Sequence, residues 1–261
     1  MNKIEMLLNK TKKRHGAPEL NLIDSSTPFA IRQAYKALYT NILYLNVDDK
    51  CKKIAVTSPL PGECKSTVSS NLALTLVQNL DDKRILLIDS DMRSPKVWRL
   101  FKQDRNVHGL SEYLAGIDAE PNFLSVMDQK LTLLTAGGKT VNPTKLIGSQ
   151  KMKELIELCS EKFDYIIIDT PPINIVSDAL LLNGLVNGFI LSTRADQSDV
   201  NSVGEAVDQI NRIGAEIFGF VISDLKLKGG SSNYGNYNKY SKYSKYARYT
   251  AYMKEVESSE G

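Results

Sequence analysis

Apolar residues in this chain gather in short, nearly continuous runs, "KIAVT", "RILLID", "YIIIDT", "GFILST" and "IFGFVIS". Between them lie longer stretches, "STVSSNLALTLVQNL", "SQKMKELIELCSEKF" and "DVNSVGEAVDQINRIG", where apolar positions recur at helical spacing. Runs that do not alternate with polar residues predict strands covered on both faces, and the periodic stretches supply the covering helices. The pattern predicts an α/β fold, a mostly parallel sheet flanked by helices. Upstream, Phe29, Ile31, Ala34, Leu38, Ile42 and Leu45 set out one more helix, with Thr27 as its N-cap and Pro28 at its first position.

The two ends lack this order. Residues 1–26 are polar, basic and aperiodic, and are expected to form a flexible arm. From residue 226 to 261 glycine, serine, asparagine and lysine dominate and aliphatic periodicity stops, so a disordered tail is expected. Residues 27–225 are left as one domain, which suits a chain of 261 residues. A net charge of +3 is too small to imply a nucleic-acid or membrane partner. The first residues offer no small-residue cleavage site, and no run approaches the roughly 20 apolar residues of a spanning helix, so a cytoplasmic location is expected. Cys51, Cys64 and Cys159 are scattered without metal-ligand spacing, in keeping with a reducing compartment.

Chemistry concentrates where strands are expected to end. "SPLPGECKST", residues 58–67, lies between a strand and a helix, the order that a phosphate-binding loop requires. The amides of Pro61–Thr67 that are free to donate, with the helix N-terminus behind them, suit phosphate oxygens. Within the set Pro61, Gly62, Glu63, Cys64, Lys65, Ser66 and Thr67, Lys65 would neutralise phosphate charge and Ser66 would offer its hydroxyl to Mg²⁺. "ILLIDSDMRSP" ends a strand with Asp89 and Asp91, two residues apart on one side of an extended chain. "YIIIDTPP" ends another with Asp169, where a carboxylate can hold Mg²⁺ through water.

Together these motifs resemble the bacterial tyrosine kinases that control capsule and exopolysaccharide synthesis. "SPLPGECKST" stands as Walker A, "LLIDSDMRSP" as the family's Walker A′ and "IIIDTPP" as Walker B. The resemblance extends to "GLSEYLAG", "LLTAGGKTVNPTKLIGSQKM", "INIVSDAL" and the tyrosine-rich end. It implies a P-loop fold of the partitioning-ATPase-like type and an Mg²⁺-ATP-dependent autokinase. Lys65, Asp89, Asp91 and Asp169 would be catalytic, with Ser66, Asp89 and Asp169 around the metal. Either Asp89 or Asp91 would take the tyrosine proton.

Tyr234, Tyr237, Tyr240, Tyr243, Tyr246, Tyr249 and Tyr252 recur every third residue among Lys239, Lys242, Lys245 and Arg248. A spacing of three builds no buried stripe on a helix or a strand. By resemblance, this is the cluster that one subunit offers to its neighbour's active site. Phosphates on it, each adding about −1.5 to −2 charges, would then loosen the homo-oligomer. The resemblance also implies a separate transmembrane chain-length regulator whose cytoplasmic end activates the kinase at the inner face of the plasma membrane, and a cognate tyrosine phosphatase. Nucleic acid is not an expected partner.

Three departures from the family pattern bear on activity. Cys64 replaces the glycine before Lys65, Gln33, Lys36 and Tyr39 stand where the family's oligomerisation helix carries a glutamate and two arginines, and Ser223 replaces an asparagine near the base. They keep open a catalytically impaired nucleotide-binding or docking subunit of the same pathway. A partitioning-type ATPase switch and a polymer-binding module using the basic aromatic tail are the readings from other classes.

Overall fold

The computed structural model describes residues 12–13, 22–45, 47, 49–127, 130–195 and 197–223. Among the described residues eight strands form one sheet: β1 (Lys12–Lys13), β2 (Lys52–Thr57), β3 (Ile85–Asp89), β4 (Leu124–Val126), β5 (Leu131–Leu134), β6 (Tyr165–Asp169), β7 (Gly188–Arg194) and β8 (Ile217–Ser223). Their spatial order is β1-β4-β5-β3-β6-β2-β7-β8. Every pairing is parallel except β4 with β5. The five expected strands are β2, β3, β6, β7 and β8.

Strand alternation divides the core into two layers. Ile54 and Val56 of β2, Ile85 and Leu87 of β3, and Ile167 of β6 face one layer, with α1 (Phe29–Leu43) and α2 (Lys65–Asn79) above them. Ala55, Leu86, Ile88, Ile166 and Ile168 face the other, covered by α6 (Gln150–Ser160) and α7 (Val200–Arg212). Every residue of β3 and β6 is buried, which is why these runs show no polar alternation. Shorter helices α3 (Val97–Leu100), α4 (Leu110–Leu114) and α5 (Pro143–Ile147), with a 3₁₀ helix at Ser177–Leu182, fill the connections.

Two details near the N-terminus differ from expectation. Helix α1 starts at Phe29, with Pro28 in the N-cap position and no side-chain cap. Thr27 is diverted into a turn, where its hydroxyl donates to Asp24 Oδ1 at 3.1 Å and accepts the Asp24 amide at 3.0 Å. On the arm side of residue 26, Leu22 and Ile23 are buried beside α2, and the Ile23 amide donates to Asn71 Oδ1 at 2.9 Å. Among the described residues no helix is long and apolar enough to cross a membrane.

Candidate active site

Three strand tips bring the expected residues together. Asp89 on β3 and Asp169 on β6 are direct register partners, and Asp169 is opposite Val56 of β2, just before the phosphate loop. The loop leads into α2, so Lys65 and Ser66 occupy its first turn beside both carboxylates' strands. The site thus lies beyond the C-terminal ends of parallel strands, where such sheets bind ligands.

Within it the acids are placed differently. Lys65 Nζ donates to Asp91 Oδ2 at 2.5 Å, and both groups are almost wholly buried. Asp89 accepts the amide of Asp91 on one oxygen, and those of Lys96 and Val97 on the other at 3.2 and 3.0 Å. Asp89 therefore shapes the turn that carries Asp91. Both oxygens of Asp169, and the Ser66 hydroxyl, are buried without a hydrogen bond of good geometry.

Electrostatics follow from that crowding. Burial pushes the Asp169 carboxyl up to about 6, against the pull of the Lys65 charge and of the nearby Ser66 hydroxyl. Burial, then the neighbouring Asp169, pushes Asp89 well above the usual carboxylate range. Burial also works against the charge on Lys65, but Asp169, Asp91 and Asp89 outweigh it and raise its pKa. Buried oxygens of a serine and an aspartate that lack a well-formed hydrogen bond are hard donors that fit Mg²⁺. Ser66 and Asp169 could hold it, and Asp89 keeps acceptor capacity on the oxygen that takes only the Asp91 amide.

Cys64 confirms that its position is conformationally special: it is the N-cap of α2 in the left-handed region, φ 60° and ψ 14°. A non-glycine residue there costs about 1–2 kcal/mol. Gly62 is also left-handed, at φ 85°. Glu63 turns away from the cradle; its buried carboxylate accepts the Leu60 amide at 2.7 Å and the Ser198 hydroxyl.

The quoted stretches around the site are joined by contacts that their sequences did not disclose. Arg93, in the Walker A′ stretch, forms a two-pronged pair with Asp178 through Nε at 2.9 Å and Nη2 at 3.2 Å, and Nη2 also donates to Thr144 Oγ1 at 2.9 Å. This joins the β3 loop to α5 and the 3₁₀ helix. Glu112 in "GLSEYLAG" accepts the amides of Gly109 and Gly138, both at 2.8 Å, tying that stretch to "TAGG". A side chain at Gly137 would meet Glu112 at 2.0 Å. Of the three α1 positions, Lys36 is exposed and Gln33 half-buried. Tyr39 packs inward, its hydroxyl 3.5 Å from the Asn79 carbonyl. Ser223 donates to the Thr193 carbonyl at 3.0 Å. The seven tail tyrosines lie outside the described residues.

The phosphate loop, strand-tip carboxylates and sheet order define a P-loop NTPase, and residues 50–238 match the family described as ParA: NUBPL iron-transfer P-loop NTPase. Tyrosine-protein kinase YwqD of Bacillus subtilis (strain 168) is 31% identical over 217 residues, 83% of this chain and 91% of that protein. Tyrosine-protein kinase CpsD of Streptococcus pneumoniae serotype 4 is 35% identical over 194 residues, 74% of this chain and 84% of its own. The kinase domain of Escherichia coli tyrosine kinase ETK superposes with a TM-score of 0.75 at 28% identity, covering 88% of this chain and 91% of that one. The chain belongs to the bacterial tyrosine kinases, enzymes that transfer phosphate to tyrosine.

Proposed function

We propose that the chain is an Mg²⁺-ATP-dependent autokinase whose acceptors are Tyr234, Tyr237, Tyr240, Tyr243, Tyr246, Tyr249 and Tyr252 of a neighbouring copy. The observation that carries the site assignment is the buried trio of Ser66 Oγ and the two Asp169 oxygens, without a hydrogen bond of good geometry, next to Lys65. Ser66 and Asp169 would hold the metal, and Mg²⁺ would supply charge stabilisation on phosphate oxygens. Lys65 leaves Asp91 for the incoming phosphates. Asp91, so released, accepts the tyrosine proton, while Asp89 keeps the Asp91 turn in shape.

The likeness to capsule and exopolysaccharide kinases supports a role in that synthesis and its chain-length control. A separate transmembrane regulator docks and activates the kinase at the inner face of the plasma membrane, and a tyrosine phosphatase resets the tail. A second reading, a nucleotide-binding docking subunit without transfer activity, draws on the left-handed Cys64. Incubating the full chain with Mg²⁺-ATP and the regulator's cytoplasmic segment, then measuring intact mass, separates them. Added phosphates that disappear in Lys65→Met support the autokinase. An unmodified mass, with transfer gained in Cys64→Gly, supports the docking subunit.

A further inference from the structure

The phosphate loop holds a non-glycine residue, Cys64, in the left-handed region, and most of the contacts around it come from a different part of the chain. Glu63, immediately before Cys64, is completely buried and bound at three points. Its backbone carbonyl accepts the Ser192 hydroxyl of β7 at 2.5 Å. One carboxylate oxygen accepts the Ser198 hydroxyl, and the other accepts the Leu60 amide of the loop itself at 2.7 Å. Gln197 adds a fourth tie, its Nε2 donating to the Pro61 carbonyl at 2.7 Å. Ser198 is itself fixed, because its oxygen accepts the Arg194 amide at 2.7 Å.

From this geometry we infer that Glu63 and Ser198 form a clamp that positions the phosphate loop, holding Cys64 in the shape that binds nucleotide. The clamp offsets the tendency of a side-chain-bearing residue to leave the left-handed region. Glycine enters that region freely, so a loop with glycine there keeps its shape with less help. Cysteine makes this chain dependent on the clamp. Apparent affinity falls with the fraction of molecules whose loop is competent, so the dependence is readable in binding. Ser198 is a positioning residue: it touches Glu63, and acts on the phosphates only through the loop.

The inference rests on the nucleotide-binding reading, and the test separates the two. Mg²⁺-ADP binding is titrated calorimetrically on four full-length chains: unchanged, Ser198→Ala, Cys64→Gly, and the double variant. Hydrogen exchange of amides 60–67 is followed in each without ligand. Ser198→Ala is expected to weaken binding about tenfold in the Cys64 chain and less than about threefold in the Cys64→Gly chain. Loop exchange rises in the first case and little in the second. Ser198→Thr, which keeps the hydroxyl, restores both values. Equal losses in the two backgrounds, or none in either, overturn the clamp as a counter to Cys64. If no chain binds Mg²⁺-ADP, the nucleotide reading fails and loop exchange decides alone: faster exchange only with Cys64 supports the clamp, and unchanged exchange overturns it.

Discussion

Helices α1 and α2 are each fifteen residues long and pack against one another, yet α2 buries twelve residues and α1 buries only Ile42. The difference comes from layer position. Helix α2 is enclosed by the sheet on one side and α1 on the other, so even its Ser69, Ser70, Asn71 and Thr75 are buried. Asn71 meets the Ile23 amide and, through Nδ2, the Tyr35 hydroxyl at 3.2 Å; Thr75 donates to the Asn71 carbonyl at 2.7 Å. Helix α1 forms the outer layer and exposes Lys36 and Ile31. A helix that carries Lys65 and Ser66 is thereby fixed on all sides, whereas a helix facing outward can change residues at small cost to the fold. Of the α1 departures, Lys36 faces outward and Gln33 is half-buried, so they leave the phosphate site's scaffold in place, whereas Tyr39 packs against it.

The sharpest test of this contrast is a pair of truncations. Leu72→Ala, at a fully buried position of α2, is expected to lose about 2–5 kcal/mol in urea unfolding, and Ile31→Ala on α1 to change stability by less than about 0.5 kcal/mol. Comparable losses would mean that α1 is as deeply integrated as α2.

A smaller effect distinguishes the carboxylate at the strand tip from the packing around it. Since burial raises Asp169 to about 6, the ligand-free fold favours its protonated form, and stability falls as pH climbs from the unfolded value through about 6. Asp169→Asn removes that dependence. The variant is expected to be more stable than the parent by about 1–3 kcal/mol at pH 8, with the gap closing as pH falls below about 6, while transfer activity is lost. A gap that does not change with pH would assign the gain to packing.

The smallest expected change concerns the Arg93 pair. Arg93→Lys keeps the charge but loses the fork that reaches Asp178 and Thr144, and is expected to lower stability by about 1 kcal/mol. Unaltered thermal unfolding would show that α5 and the 3₁₀ helix are held by their apolar contacts alone.

Much of the architecture was legible because β2, β3, β6 and β7 are covered on both faces and so write themselves as continuous apolar runs. Strands β4 and β5 are only three and four residues long, too short for a period to register, and their antiparallel pairing escaped the reading. The strand-tip acids Asp89 and Asp169 were legible, since each ends an apolar run. Their unequal roles were not: they depend on whether nearby amides of Asp91, Lys96 and Val97 turn toward one of them. Glu63 could be read as part of the loop, but its partner Ser198 lies 135 residues away and carries no motif. At Thr27 a local competitor, Asp24, captured the side chain that the helix start called for.

The most direct test of transfer between copies mixes isotope-labelled Lys65→Met full chain with unlabelled unchanged chain, adds Mg²⁺-ATP and the regulator's cytoplasmic segment, and maps phosphate by peptide mass spectrometry. The account predicts phosphate on heavy peptides carrying Tyr234, Tyr237, Tyr240, Tyr243, Tyr246, Tyr249 and Tyr252. Phosphate confined to light peptides would contradict transfer between copies, and its absence from both would contradict the kinase assignment of this site.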